Sequence, residues 1–256
     1  MILQPPSPLL YRPKKIISVV PSQTELLHYL GLQGETIGIT KFCIHPKEWY
    51  STKTKVGGTK TLNINLIKKL QPDLIIANKE ENVKEQIEEL AKDFNVLVTD
   101  VNNVEDALQM IVQIGQVTQK ENEALRLVKE IKNGFAKIKQ PMQKINTAYL
   151  IWNKPYMTVG GGTFINDILS QCGLQNIFAD KERYPEMSIA DLLIANCQLV
   201  LLSTEPYPFK QKHIDELQQQ LPHTKIILVD GEMFSWYGSR MLLMPQYLQR
   251  LVDGGL

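Results

Sequence analysis

The sequence predicts an α/β fold of two lobes, each a parallel sheet flanked by helices, with one long helix joining them. Three observations predict it. Residues 118–139 (TQKENEALRLVKEIKNGFAKIK) hold one helical period near the middle of the 256-residue chain. Before that stretch, short β-branched runs alternate with helical periods, the pattern of crossovers that lay helices on a parallel sheet. After it, the same order of elements returns. The expected parts are an N-terminal lobe over 1–117, a linking helix over 118–140 and a C-terminal lobe over 141–256.

In the N-terminal lobe, Lys15–Val20 (KIISVV) reads as a strand stopped by Pro21, and Ser22 or Thr24 caps a helix that Gly31 ends. Glu35–Thr40 is the next strand, and 41–61 reads as a long polar and aromatic loop. Leu62–Leu70 is helical until Pro72, and Asp73–Ala77 (DLIIA) is a strand. Asn82, with Glu85 three residues on, has the spacing of a helix N-terminus, and Asn95–Thr99 is a strand. Val104–Val117 is a helix with Val104, Ala107, Leu108, Ile111 and Ile114 on one face. In the linking helix, Thr118 and Glu121 stand as a capping box. Ala124, Leu125, Val128, Ile131, Phe135 and Ile138 form its apolar stripe, and Pro141 follows its end. The C-terminal lobe reads as strand Thr147–Trp152, a glycine-rich turn, and helix Thr163–Gln171 ended by Gly173. Strand Gln198–Leu202, helix His213–Gln220, strand Lys225–Val229 and helix Met244–Val252 complete it.

Composition narrows the function. A net charge of +1, with 43% hydrophobic and 21% charged residues, lacks the basic excess of a nucleic-acid binder. No apolar run approaches the roughly 20 residues of a membrane span. The N-terminal MILQPPSPLLYRPKK has no basic segment leading into an apolar core, so it does not read as a signal peptide. The expectation is a cytoplasmic protein, or one whose export signal lies outside this chain. Three cysteines imply no disulfide framework, and Cys172 and Cys197 sit among apolar residues as core positions.

Ligands of open α/β sheets bind beyond the carboxyl ends of the strands. In the N-terminal lobe those places hold Pro21-Ser22-Gln23, then Phe42 to Pro46 with Trp49 and Tyr50, then Asn78-Lys79-Glu80-Glu81. In the C-terminal lobe they hold Trp152 to Tyr156, Glu205 to Phe209, and Phe234 to Tyr237. All three tryptophans fall here. Such rings either plug their lobe or line a site for a large flat ligand. Signals of catalysis are thin. Gly160-Gly161-Gly162-Thr163 lacks the Lys-Ser/Thr pair of a phosphate loop and reads as a tight turn capped by Thr163, and no serine sits in a nucleophile elbow. Among the four histidines, His28 lies in a helix, and His213 and His223 read as surface positions. His45 either bonds within its own loop or makes an axial contact to the metal of a haem or corrin. No metal site built by the protein itself is indicated.

Taken together, PSQTE (21–25), VGGT (56–59) before a helix and PDLIIA (72–77), and CGLQNIF (172–178) with YPEMS (184–188) give the chain a resemblance to a known family. Over nearly its whole length it resembles the cobalamin-type substrate-binding proteins of ABC transporters, class III periplasmic binding proteins whose wider group also takes siderophores and haem. The resemblance implies two α/β lobes on one rigid helix and a ligand held in the cleft between them. It also implies a binding protein, not an enzyme, with no cofactor of its own. The implied ligand-binding set is Pro21, Ser22, Phe42, His45, Trp49, Tyr50, Trp152, Tyr156, Tyr184, Trp236, Tyr237 and Arg240. Docking on the membrane permease falls to Glu205 and Glu85, with Glu80 and Glu81 as rivals of the latter. A monomer outside the cytoplasm, carrying cobalamin and binding no nucleic acid, is the implied state. The segment FCIHP (42–46) departs from the usual form of its loop, so haem or a ferric siderophore stays open as the ligand, with Arg183 and Arg240 suited to a siderophore. A cytoplasmic corrinoid-handling protein on the same fold is the other alternative.

Overall fold

Strands with a continuous apolar run, such as Leu74–Asn78 from Leu74 to Ala77, are stable only in the middle of a sheet covered on both faces. All five residues of that strand are buried. The computed structural model describes residues 2–3 and 11–254, so most of the N-terminal stretch read above for an export signal lies outside the described residues. Contacts divide the chain into two units. The first, within the described residues, runs to Val101 and takes in Glu105–Lys132 and Trp236–Met241; the second holds Asn102–Val104, Asn133–Ser235 and the chain from Leu242 onward.

The first unit contains strands β1 (Ile2–Leu3), β2 (Ile16–Ser18), β3 (Thr36–Ile39), β4 (Thr54–Lys55), β5 (Leu74–Asn78) and β6 (Val96–Thr99). They lie in the order β1-β6-β5-β2-β3-β4, and every neighbouring pair is parallel. Between them run α1 (Pro21–Tyr29), α2 (Lys47–Thr52), α3 (Ile64–Leu70) and α4 (Lys84–Ala91), followed by α5 (Val104–Thr118) and α6 (Glu121–Phe135). One core of this unit gathers Ile17, Val19, Ile67, Ile75, Ala77, Leu90 and Val96.

The second unit contains β7 (Ile145–Trp152), β8 (Met157–Thr158), β9 (Leu174–Asn176), β10 (Leu199–Ser203) and β11 (Lys225–Val229), with α7 (Phe164–Gln171), α8 (Ile189–Ile194), α9 (Gln211–Gln218), α10 (Glu232–Ser235) and α11 (Met244–Val252). Its sheet runs β11-β10-β7-β8, and β9 also pairs with β7. Among its described strand pairs β7–β8 is antiparallel and the others are parallel. Thr163 caps α7, its Oγ1 accepting the Asn166 N–H at 3.2 Å. Backbone crowding requires Gly160 and Gly161, where a Cβ would run into the carbonyl oxygens of Lys181 and Ala179, and Gly162 turns left-handed at φ 65°.

Several expectations are corrected. The stretch 41–61 is not all loop, because it contains α2 and β4. Its order comes from buried side chains that follow no period, Cys43, Trp49 and Val56 among them. Residues 118–139 are not one unbroken helix. Thr118 belongs to the last turn of α5, where its hydroxyl donates to the Ile114 carbonyl at 2.6 Å, and Gln119 turns left-handed at φ 56°. The Lys120 N–H then bonds the Gly115 carbonyl at 2.7 Å, and the Ala124 N–H bonds the Lys120 carbonyl to start α6. A Cβ on Gly115 would come within 2.5 Å of the Ala124 Cβ, so only glycine allows this close return. The buried face of α6 is Ala124, Leu127 and Ile131, while Leu125 is exposed. Among the described residues no helix is long and apolar enough to cross a membrane.

Cys43, Cys172 and Cys197 are free and buried. Burial pushes the Cys172 thiol up to about 12, and the other two thiols are raised for the same reason. All three therefore stay protonated at pH 8, and the thiolate is the reactive form. The folded protein is expected to release almost no colour with a thiol-reactive disulfide at pH 8, and to react at three thiols once denatured. Rapid reaction of a thiol in the folded state would contradict this burial.

Candidate functional site

Beyond β5 in the first unit, two asparagines organise the backbone. Asn78 Oδ1 accepts the N–H groups of Glu80 and Glu81 at 2.9 and 3.1 Å, and its amide nitrogen donates to the Thr99 carbonyl at 3.1 Å. Asn82 Oδ1 accepts the Asn78 N–H, and its nitrogen donates to the carbonyls of Val19 and Thr59 at 3.1 and 3.0 Å. Asn82 thus ties three loops together and does not cap α4, whose N-cap is Val83. Glu85 is left exposed in the first turn of that helix.

Across the same end of the sheet lies the segment 236–241, which sequence reasoning assigned to the C-terminal lobe. It packs in the first unit. Arg240 holds Glu25 in a two-pronged pair, Nε and Nη2 donating at 2.9 and 2.8 Å, and its guanidinium lies 4.9 Å from the Trp236 ring centre. His45 meets Trp236 edge-on at 5.3 Å. Tyr237 lies beside Ser22 and Gln23; burial, then the charge of Glu81, pushes its phenol well above the ordinary range. Ser22, Trp236, Tyr237 and Arg240 are buried by these contacts, and Trp236 is only 7% exposed. Arg240→Lys is expected to lower stability to urea by about 1–3 kcal/mol, since a lysine keeps the charge but loses the fork and the ring contact. An unchanged midpoint would show the pair to be dispensable.

Trp49 is 1% exposed, its ring meeting His28 edge-on at 5.3 Å, so it plugs the unit. Phe42 and Tyr50 are exposed, and each has an ammonium group near its ring: Lys41 at 5.2 Å and Lys55 at 4.9 Å. Pro21 and His45 are half-buried.

In the second unit the carboxyl ends of β7 and β10 carry a cluster of rings. Trp152 ends β7 and is 42% exposed, with its ring centre 5.6 Å from Tyr207. Tyr207 in turn meets Phe209 at 4.8 Å and His213 at 5.5 Å. His213, expected at the surface, is only 5% exposed: its Nδ1 accepts the Lys210 N–H at 2.8 Å, and its Nε2 lies 3.3 Å from the Tyr207 hydroxyl. The Asn153 amide nitrogen donates to the same hydroxyl at 3.3 Å. Tyr156 packs half-buried on the core, its phenol pushed up by burial and then by the Glu216 charge. Tyr184 is half-buried under the Arg183 guanidinium, which donates to Asn102 Oδ1 at 3.1 Å and the Gly162 carbonyl at 3.0 Å. Glu205 accepts the Ser235 hydroxyl at 2.7 Å. Sequence reasoning placed Tyr207 in the Glu205–Phe209 loop but not among the ligand-binding residues. The signal lay in an aromatic just after a strand, followed by a histidine in the first turn of the next helix.

Among the described residues, no three His, Cys, Asp or Glu side chains gather where they could hold a metal ion. The ring cluster at the carboxyl ends of β7 and β10 offers ring faces and a few oriented dipoles, the equipment of a binding surface.

A family model described as periplasmic binding protein matches residues 16–224. A vitamin B12-binding protein of Photorhabdus laumondii is 26% identical over 249 residues, covering 95% of this chain and 90% of that one. An uncharacterized ABC transporter substrate-binding lipoprotein of Bacillus subtilis is 26% identical over 247 residues, covering 90% and 77%. Two solved structures from Vibrio cholerae share the fold. The periplasmic vitamin B12-binding protein superposes with a TM-score of 0.76 at 20% identity, covering 95% of this chain and 98% of its own. The periplasmic heme-binding protein gives 0.81 at 19%, covering 93% and 98%.

Proposed function

Since the chain belongs to the periplasmic binding protein family, matched over residues 16–224, we propose that it captures a corrinoid outside the cytoplasm and delivers it to a membrane permease. The observation that carries this reading is Trp152. A large ring left 42% exposed at the carboxyl end of a central strand, with Tyr207 braced behind it, suits stacking against a flat macrocycle. The naming of relatives such as the Photorhabdus protein supports the corrinoid over other flat ligands. The absence of a three-residue metal-binding set among the described residues favours a ligand that brings its own chelator. Phe42, Tyr50, Tyr156 and Tyr184 join Trp152 in this reading as ligand contacts. Trp49, Trp236, Tyr237 and Arg240 are buried within the first unit and support its own loops.

Glu85 and Glu205 are the proposed permease-docking residues, and Glu85 is the better presented of the two because it is exposed. The family reading makes the chain a carrier and not an enzyme, its ligand being cargo and not a cofactor. Haem is the second reading, favoured by half-buried His45 beside Trp236.

The test is calorimetric titration with cyanocobalamin, and with hemin alongside. Tight one-to-one binding of the corrinoid is expected. Hemin binding with a Soret shift that is lost in His45→Ala, and no corrinoid binding, would move the ligand to haem.

A further inference from the structure

We propose that Tyr207 contacts the ligand through its hydroxyl, which His213 aims at a carboxamide on the ligand's edge. The inference rests on the corrinoid reading above and names the chemical group that this part of the second unit recognises.

The argument is a count of protons. His213 Nδ1 accepts the Lys210 N–H at 2.8 Å, so a neutral ring carries its own proton on Nε2. That proton faces the Tyr207 oxygen at 3.3 Å, and Asn153 Nδ2 brings a second N–H to the same oxygen at 3.3 Å. The phenol oxygen is thus an acceptor twice over, and its own O–H proton goes to neither neighbour. Beside it, Asn153 Oδ1 is buried and has no hydrogen-bond partner among the described residues. Buried polar atoms are nearly always partnered, so an unmet acceptor next to an uncommitted donor calls for a ligand group. Both belong to residues that touch or adjoin the exposed Trp152.

A donor and an acceptor side by side match a group that is acceptor and donor at once. A carboxamide is such a group: its C=O takes the Tyr207 proton and its NH2 gives one to Asn153 Oδ1. The corrin ring is edged with carboxamide side chains. A carboxylate, as on haem, offers acceptors only and sets its negative charge against the Asn153 oxygen. His213 touches no ligand in this scheme and is a positioning residue.

The experiment is titration of wild type, Tyr207→Phe, His213→Gln, the double variant and Asn153→Ala with cyanocobalamin. Cobyrinic acid, whose side chains are carboxylates, is run in parallel. Tyr207→Phe should lose roughly five- to tenfold in affinity for cyanocobalamin, the worth of one net hydrogen bond. Asn153→Ala should lose a similar factor. His213→Gln should cost about two- to threefold alone and nothing more in the Tyr207→Phe background, a non-additivity that simple destabilisation does not produce. Cobyrinic acid should bind wild type more weakly and show no loss on Asn153→Ala, because a carboxylate has no proton to give Asn153 Oδ1. Wild-type affinity of Tyr207→Phe for cyanocobalamin, or an equal loss for both corrinoids on Asn153→Ala, would overturn the contact while leaving the corrinoid reading intact. Failure of the wild type to bind cyanocobalamin would overturn that reading, and this contact with it.

Discussion

Trp152→Ala is expected to weaken cyanocobalamin binding by roughly 30- to 100-fold, the loss typical of a central aromatic anchor. The fold should stay intact. Trp152 is 42% exposed and its ring contact is with Tyr207 at the loop, outside the buried cluster of Ala148, Leu150, Val200 and Leu202. A side chain half in water removes little apolar area from solvent, so its truncation leaves only a small deficit in folding. The check is a titration beside a thermal melt. Full affinity in Trp152→Ala with an unchanged melting point would remove Trp152 from the site and leave the corrinoid reading without its main support.

Trp49→Ala is expected to do the reverse. Trp49 is 1% exposed, packed against His28 and covered by Lys53, whose ammonium lies 5.2 Å from the ring. Truncating a fully buried tryptophan costs about 3–5 kcal/mol, from lost transfer energy and the cavity left behind. Urea unfolding should show that loss, while Tyr50→Ala, one position on and exposed, should stay within about 0.5 kcal/mol of wild type. Should Trp49→Ala instead unfold like wild type and lose ligand affinity, Trp49 would be a ligand contact after all.

These two tryptophans mark how far the chain can be read without its structure. Trp152 ends a strand and Trp49 follows one, and the loops next to both are polar and aromatic. One plugs its unit and the other stays 42% exposed, because α2 brings Trp49 onto α1 while Trp152 meets the Tyr207 ring edge-on at the end of its strand. A six-residue helix is too short to show a period, so 41–61 reads as loop until its anchor is seen. Thr118 and Glu121 read as a capping box because that spacing is local; Thr118 instead closes α5 and Glu121 opens α6 once Gly115 lets Ala124 approach.

The sequence by itself determined the α/β class, the alternation that makes the sheets parallel, and which loops carry the aromatics. Lys225–Val229 and Met244–Val252 are read correctly at both ends, since continuous or 3.6-periodic apolar runs bounded by polar residues reflect burial directly. Only the tertiary structure decided that 236–241 packs with the first unit, that Arg240 is spent on Glu25 at 215 residues' separation, and that His213 is buried under Tyr207. Periodicity is a property of neighbours in the chain, whereas a hydrogen-bond partner or a covering ring is chosen by three-dimensional proximity, which no spacing records.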